Sequence, residues 1–93
     1  MQVTITLYGP SREVVGEKDI VRQVDDGVTV RDVFESLQSE YPDLVGKLLT
    51  DEGEIASGIA LTRNGTAIER DGGLDAPVAD GDELQVTHSL RGG

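Results

Sequence analysis

The sequence closes on Ser89-Leu90-Arg91-Gly92-Gly93, and the chemistry this stretch offers is that of a carboxylate on an unhindered arm. A free α-carboxylate has a pKa of about 3.3–3.7, so at neutral pH it is ionised and a poor electrophile. Conversion by ATP to an acyl-adenylate gives it a good leaving group. An amine then yields an amide, and sulfide yields a thiocarboxylate. Gly92 and Gly93 suit such a role because, without a Cβ, they let a nucleotide or another backbone approach closely. Leu90 and Arg91 add an apolar anchor and a fixed positive charge for a partner's acidic groove. The plainer reading of the same residues is a frayed end with a solubilising charge.

No other stretch competes as a reactive centre. His88 is the single histidine, and no GxSxG or comparable nucleophile motif accompanies it. A catalytic triad needs a nucleophile, a base and an orienting group, so His88 reads as an ordinary strand-end residue. There is no cysteine, which excludes thiolate zinc sites, iron–sulfur clusters, disulfides and a cysteine nucleophile. The acidic pairs Asp25-Asp26, Asp51-Glu52 and Asp80/Asp82 read as solvated, turn-forming carboxylates. The "DGDE" run is too short for a calcium loop, and "DGG" at 71–73 lacks the strand–GxxxxGK[ST]–helix context of a phosphate cradle. The domain is therefore expected to hold no catalytic residue, no metal and no cofactor of its own. Lys18 and Lys47 are the two lysines; they read as surface residues, with acceptance of further copies of the protein as the functional alternative.

Charge narrows the partners. Eighteen acidic residues stand against eight basic ones, for a net charge of −10. Nucleic acid and anionic membranes repel such a surface, so neither is an expected partner. Adaptation to a salt-rich cytoplasm explains the acidity best, ahead of general solubility and of steering a basic partner. No apolar run approaches the roughly 20 residues of a membrane span, and "MQVTITLYGPSREV" lacks the basic-then-apolar pattern of a secretory signal. A soluble, cytoplasmic monomer is expected.

The elements that must carry the tail follow from periodicity. In "QVTITLYG" Val3, Ile5 and Leu7 alternate with Thr4 and Thr6, the pattern of a strand with one buried face. "YGPS" reads as a turn, and "SREVVG" as one helical turn capped by Ser11 and closed by Gly16. "DIVRQV" is a second strand whose register stays open, because Ile20 and Val21 are adjacent. In "VTVRDVFESLQSEYP" Thr29 and Asp32 form a capping box, with Val28 and Val33 as a hydrophobic staple. Val30, Val33, Phe34 and Leu37 define one buried stripe, and Pro42 ends the helix, which the spacing predicts over 30–40. Leu44, Val45, Leu48 and Leu49 are available to cover one end of a core. Asn64-Gly65 marks a hairpin, and "ELQVTH" is a last strand burying Leu84 and Val86. The order is strand, strand, helix, strand, short strand, strand. That fits an α+β class, a mixed sheet of four to five strands with one main helix across a face. A β-grasp layout would set the last strand beside the first, giving a domain over 1–88 and a flexible tail over 89–93 that reaches about 17 Å when extended.

The strand–strand–helix order, "REVVG" after the first strand, "RNG" before the short strand, "DGDEL" before the last and the closing "GG" together resemble the archaeal ubiquitin-like small modifiers. That group is similar to the small subunit of molybdopterin synthase and to the thiamine-pathway sulfur carrier. The likeness spans essentially the whole chain, and the acidic, lysine-poor composition looks haloarchaeal. The resemblance implies a β-grasp fold and adenylation of Gly93, with Gly92 as the flexible residue before it, by an E1-like adenylating enzyme that uses ATP. It implies two products: an isopeptide bond to lysines of target proteins, reversed by a deconjugating protease, or a C-terminal thiocarboxylate for molybdopterin synthesis or tRNA thiolation. Molybdopterin-type members carry an aromatic-proline stretch before the glycines. Here "VTHSLRGG" is closer to ubiquitin's own ending, which favours conjugation.

Overall fold

The computed structural model describes residues 1–88. Strand β1 (Gln2–Leu7) places Val3, Ile5 and Leu7 fully inside the core, as its alternation requires. It runs almost directly into helix α1 (Gly9–Val15). Here the expected turn and cap are corrected. Pro10 sits in the first helical turn, where its missing N–H leaves nothing unpaired, and Tyr8 is the N-cap without a side-chain bond. Ser11 caps nothing: its buried hydroxyl donates to the Tyr8 carbonyl at 2.9 Å. Gly16 does close the helix, its N–H donating to Arg12 O at 2.7 Å.

Strand β2 (Asp19–Gln23) pairs antiparallel with β1, and the register that the sequence leaves open is fixed by Ile5 standing opposite Ile20. Ile20 is buried while Val21, on the other face, remains 52% exposed. Helix α2 (Val30–Glu40) has the bounds its spacing predicts. Thr29 Oγ1 accepts from the Asp32 N–H at 3.1 Å, and Asp32 Oδ2 accepts from the Thr29 N–H at 3.0 Å. Two of the four N–H groups that a helix start leaves unpaired are thus satisfied. Val30, Val33, Phe34 and Leu37 enter the same core cluster as the strand side chains.

After Pro42 the chain wraps one end of the core with Leu44, Leu48 and Leu49, all fully buried, while Val45 stays half exposed. Strand β3 (Ile59–Arg63) turns through Asn64-Gly65 into the short β4 (Thr66–Ala67). Asn64 and Gly65 take φ of 52° and 87°, the left-handed pair that a two-residue hairpin of matched twist demands. Strand β5 (Glu83–His88) buries Leu84 and Val86.

The sheet has five strands in the order β2-β1-β5-β3-β4. β5 lies parallel to β1, with Ile5 opposite Leu84 and Leu7 opposite Val86, and antiparallel to β3. This is the β-grasp arrangement, with the last strand beside the first.

Candidate functional site at the end of the last strand

Leu90, Arg91, Gly92 and Gly93 lie outside the described residues, as does the proposed tail over 89–93. What the structure does place is the strand that leads to them and the contacts that fix its two ends.

At the start of β5, "RNG" and "DGDEL" interlock. Asn64 Nδ2 donates to Asp82 Oδ1 at 2.9 Å, while Asn64 Oδ1 accepts from the Glu83 N–H at 2.9 Å. Asp82 Oδ2 accepts from the Ala79 N–H at 2.8 Å and faces Arg63 Nη1 at 3.5 Å. Arg63 also donates from Nε to Asp71 Oδ2 at 2.7 Å and from Nη1 to Pro77 O at 2.8 Å. One guanidinium therefore gathers both ends of the 71–82 connection, using the planar fork that Arg presents and Lys lacks. The Arg63 hydrogen bond holds the Asp71 carboxyl below the usual carboxylate range, and the same bond raises Arg63 further against the opposing effect of its burial. Thr4 N–H donates to Asp82 O at 3.0 Å, so the clamp reaches β1 as well.

Two of the expectations about carboxylates change here. Asp82 is not a solvated turn residue; it is 8% exposed and bonded on both oxygens. Asp80 is exposed, but its Oδ1 accepts from the Gln2 N–H at 2.7 Å. No residue of the clamp is a candidate from residue type alone. The available signal is three short-armed turn residues, Asn64, Asp80 and Asp82, flanking two β-prone runs.

At the other end of β5, His88 stands opposite Ile59 and the Tyr8 N–H donates to Val86 O at 3.1 Å. The His88 ring lies directly on Gly9, where a Cβ would come within 2.6 Å of His88 Cδ2. Gly9 has φ +64°, which by itself asks for glycine at this position, and the exposed His88 ring adds a clash that only its own movement would relieve. His88 is thus an exposed strand-end residue whose ring lies over Gly9. Lys18 Nζ sits 5.4 Å from the centre of the Tyr8 ring, within range of a cation–π contact, and so lies by the strand exit. Lys47 is elsewhere, its Nζ donating to Asp43 O at 3.1 Å in the segment after α2. Among the described residues, no three His, Asp or Glu side chains converge as a metal site. No described helix is long and apolar enough to cross a membrane.

A helix embraced by a mixed sheet, with a parallel inner strand that carries the chain out beside the first helix, defines the ubiquitin-like class. Within that class the chain belongs to the ThiS family, which it matches over residues 5–93. It is 37% identical over 93 residues to small archaeal modifier protein 3 of Haloferax volcanii, with 100% of both chains covered. It is 32% identical over 87 residues to small archaeal modifier protein 1 of the same organism, covering 94% of this chain and 95% of that one. The crystal structure of SAMP1 from Haloferax volcanii superposes with a TM-score of 0.82 at 30% identity, covering 100% of both chains.

Proposed function

We propose that this protein is a ubiquitin-like modifier whose Gly93 carboxylate is joined to lysines of target proteins. The single observation that carries the reading is the 37% identity, over the full length of both chains, with a protein named as a modifier. An E1-like enzyme converts the carboxylate and ATP to an acyl-adenylate and pyrophosphate. The lysine ε-amine then attacks the acyl carbon, AMP leaves, and an isopeptide bond forms. Gly92 and Gly93 keep the acyl carbon accessible, while Leu90 and Arg91 are handles for the activating partner. The chain is a substrate in this scheme, not an enzyme; ATP is used by its partner and no cofactor stays with it. It acts as a monomer in the cytoplasm, its adducts are recovered by a deconjugating protease, and Lys18 and Lys47 are the positions open to chain extension.

A second reading, sulfur donation, is favoured by membership of the ThiS family over residues 5–93. Sulfide attacks the acyl carbon of the same adenylate, the acyl–phosphate bond breaks, AMP leaves and a Gly93 thiocarboxylate remains, so the two functions share every step up to the nucleophile.

The test adds one residue after Gly93. The extended protein should fold normally and form no adducts, whereas the original chain should leave branched Gly-Gly remnants on target lysines after tryptic cleavage at Arg91. Adducts that persist with the extended protein overturn the reading. An oxygen-to-sulfur mass change at the intact end identifies the second function in the same measurement.

A further inference from the structure

Among the described residues, strand β2 is an edge of the sheet, paired with β1 alone. The Leu7 N–H donates to Lys18 O and the Val24 N–H to Met1 O, which fixes the alternation: the even-numbered residues of this stretch turn their backbone groups toward β1. Asp19, Val21 and Gln23 therefore turn theirs outward, the Val21 carbonyl accepting one long bond of 3.4 Å from Arg22 Nη1 and keeping its second lone pair, so the edge is a template for another strand. β4 forms the opposite edge but contributes only Thr66 and Ala67.

Beside this open edge runs a groove of about 330 Å³ between β2 and α2. Val24, Val28, Val33 and Leu37 supply apolar floor and wall. Arg22 also lines it, but its charge is already met by Glu40 in the last turn of α2. The remaining charges on the rim are those of Asp25 and Asp32, both exposed carboxylates. A strand added to β2 would drop alternate side chains into the groove and turn the others outward beside Val21.

We propose that the β2–α2 groove binds an extended segment of a partner protein that pairs with the backbone of Val21 and Gln23. Its apolar, β-branched side chains fill the groove at alternate positions, and lysine or arginine at its ends meets Asp25 and Asp32. Main-chain pairing supplies affinity and the groove supplies selection, as in other strand-addition complexes. The site needs neither adenylation nor residues 89–93, so it is independent of the conjugation reading and stays open on a protein already joined to a target.

The experiment is an NMR titration of the full 93-residue chain with the synthetic peptide acetyl-Lys-Lys-Val-Ile-Val-Ile-Lys-Lys-amide at fixed ionic strength. Saturable shifts are expected at the Val21 and Gln23 amides, with slowed hydrogen exchange at both. Replacing the four lysines of the peptide by glutamate should weaken binding about tenfold or more. Ser36→Arg, an exposed change on the helical wall of the groove, should weaken it comparably without touching the core. Val21→Pro, which deletes an outward N–H, should abolish the slowed exchange. Any of four results overturns the proposal: no saturation at about 1 mM peptide, equal binding of the glutamate peptide, or shifts confined to Thr62, Gln85 and Thr87 on the opposite face. The fourth is a Val21 and Gln23 response to protein concentration alone, which would make a second copy of this chain the occupant.

Discussion

Asn64 and Asp82 hold each other across eighteen residues of chain, the amide Nδ2 donating to the carboxylate Oδ1 at 2.9 Å. Because Asn64 also accepts from Glu83 N–H and Asp82 also meets Arg63, the β3–β4 turn and the first residue of β5 behave as one unit. The register of β5 is thus fixed at its far end.

Removing Asp82 takes from Asn64 Nδ2 and the Ala79 N–H, in a part-buried setting, the charged acceptor they share. Asp82→Ala should cost about 2 kcal/mol, which in a domain of this size lowers Tm by roughly 10 °C. A thermal melt checks it, and a drop of only a few degrees would mean the clamp is incidental.

Gly9 faces both a left-handed φ and the His88 ring. Gly9→Ala should destabilise by about 1–2 kcal/mol. His88→Ala in the same chain should relieve only the steric part, because the backbone angle is unchanged. A double-mutant cycle on thermal stability separates the two, with a coupling of about 0.5–1 kcal/mol expected between the positions.

Thr29→Ala opens the capping box at the start of α2. A loss of about 1 kcal/mol is expected, read by denaturant unfolding. Thr29→Ser, which keeps the hydroxyl acceptor, should recover most of it.

The Arg63 hydrogen bond favours ionised Asp71 in the folded state. Its stabilising effect is therefore complete above the ordinary carboxylate pKa, near 4, and is lost as pH falls through the lower folded value. Melts between about pH 6 and pH 2 should show a shallower acid decline for Asp71→Asn than for the original chain. Parallel declines would show that Asp71 is not part of the acid response.

The elements legible in the sequence are those whose signals are local. Thr29 and Asp32 are three residues apart, Asn64 and Gly65 are adjacent, and the alternation of β1 and β5 is contained within each strand. What escapes is set by distant partners. Ile20 and Val21 are equally apolar, and only the pairing of Ile20 with Ile5 chooses which is buried. Gly9-Pro10 suits a turn and a helix start alike, and the inward packing of Ser11 decides between them. Asp82 looks like any turn carboxylate until Arg63 and Asn64 arrive beside it. The chemistry proposed for Gly92 and Gly93 rests on residue type alone, on a carboxylate preceded by residues without side chains. The supports of β5 cannot, because they are contacts across long stretches of chain.

The position of β5 between β1 and β3 also bears on how the molecule is made. A ribosome delivers the chain from Met1 onward, so the strand filling the centre of the sheet emerges after the other four. Until it does, β1 lacks its parallel neighbour and β3 has only two-residue β4 beside it, leaving strand edges open and the hydrophobic interior uncovered. A half-translated product thus offers no finished surface, and a partner that grips the folded sheet would pass over it.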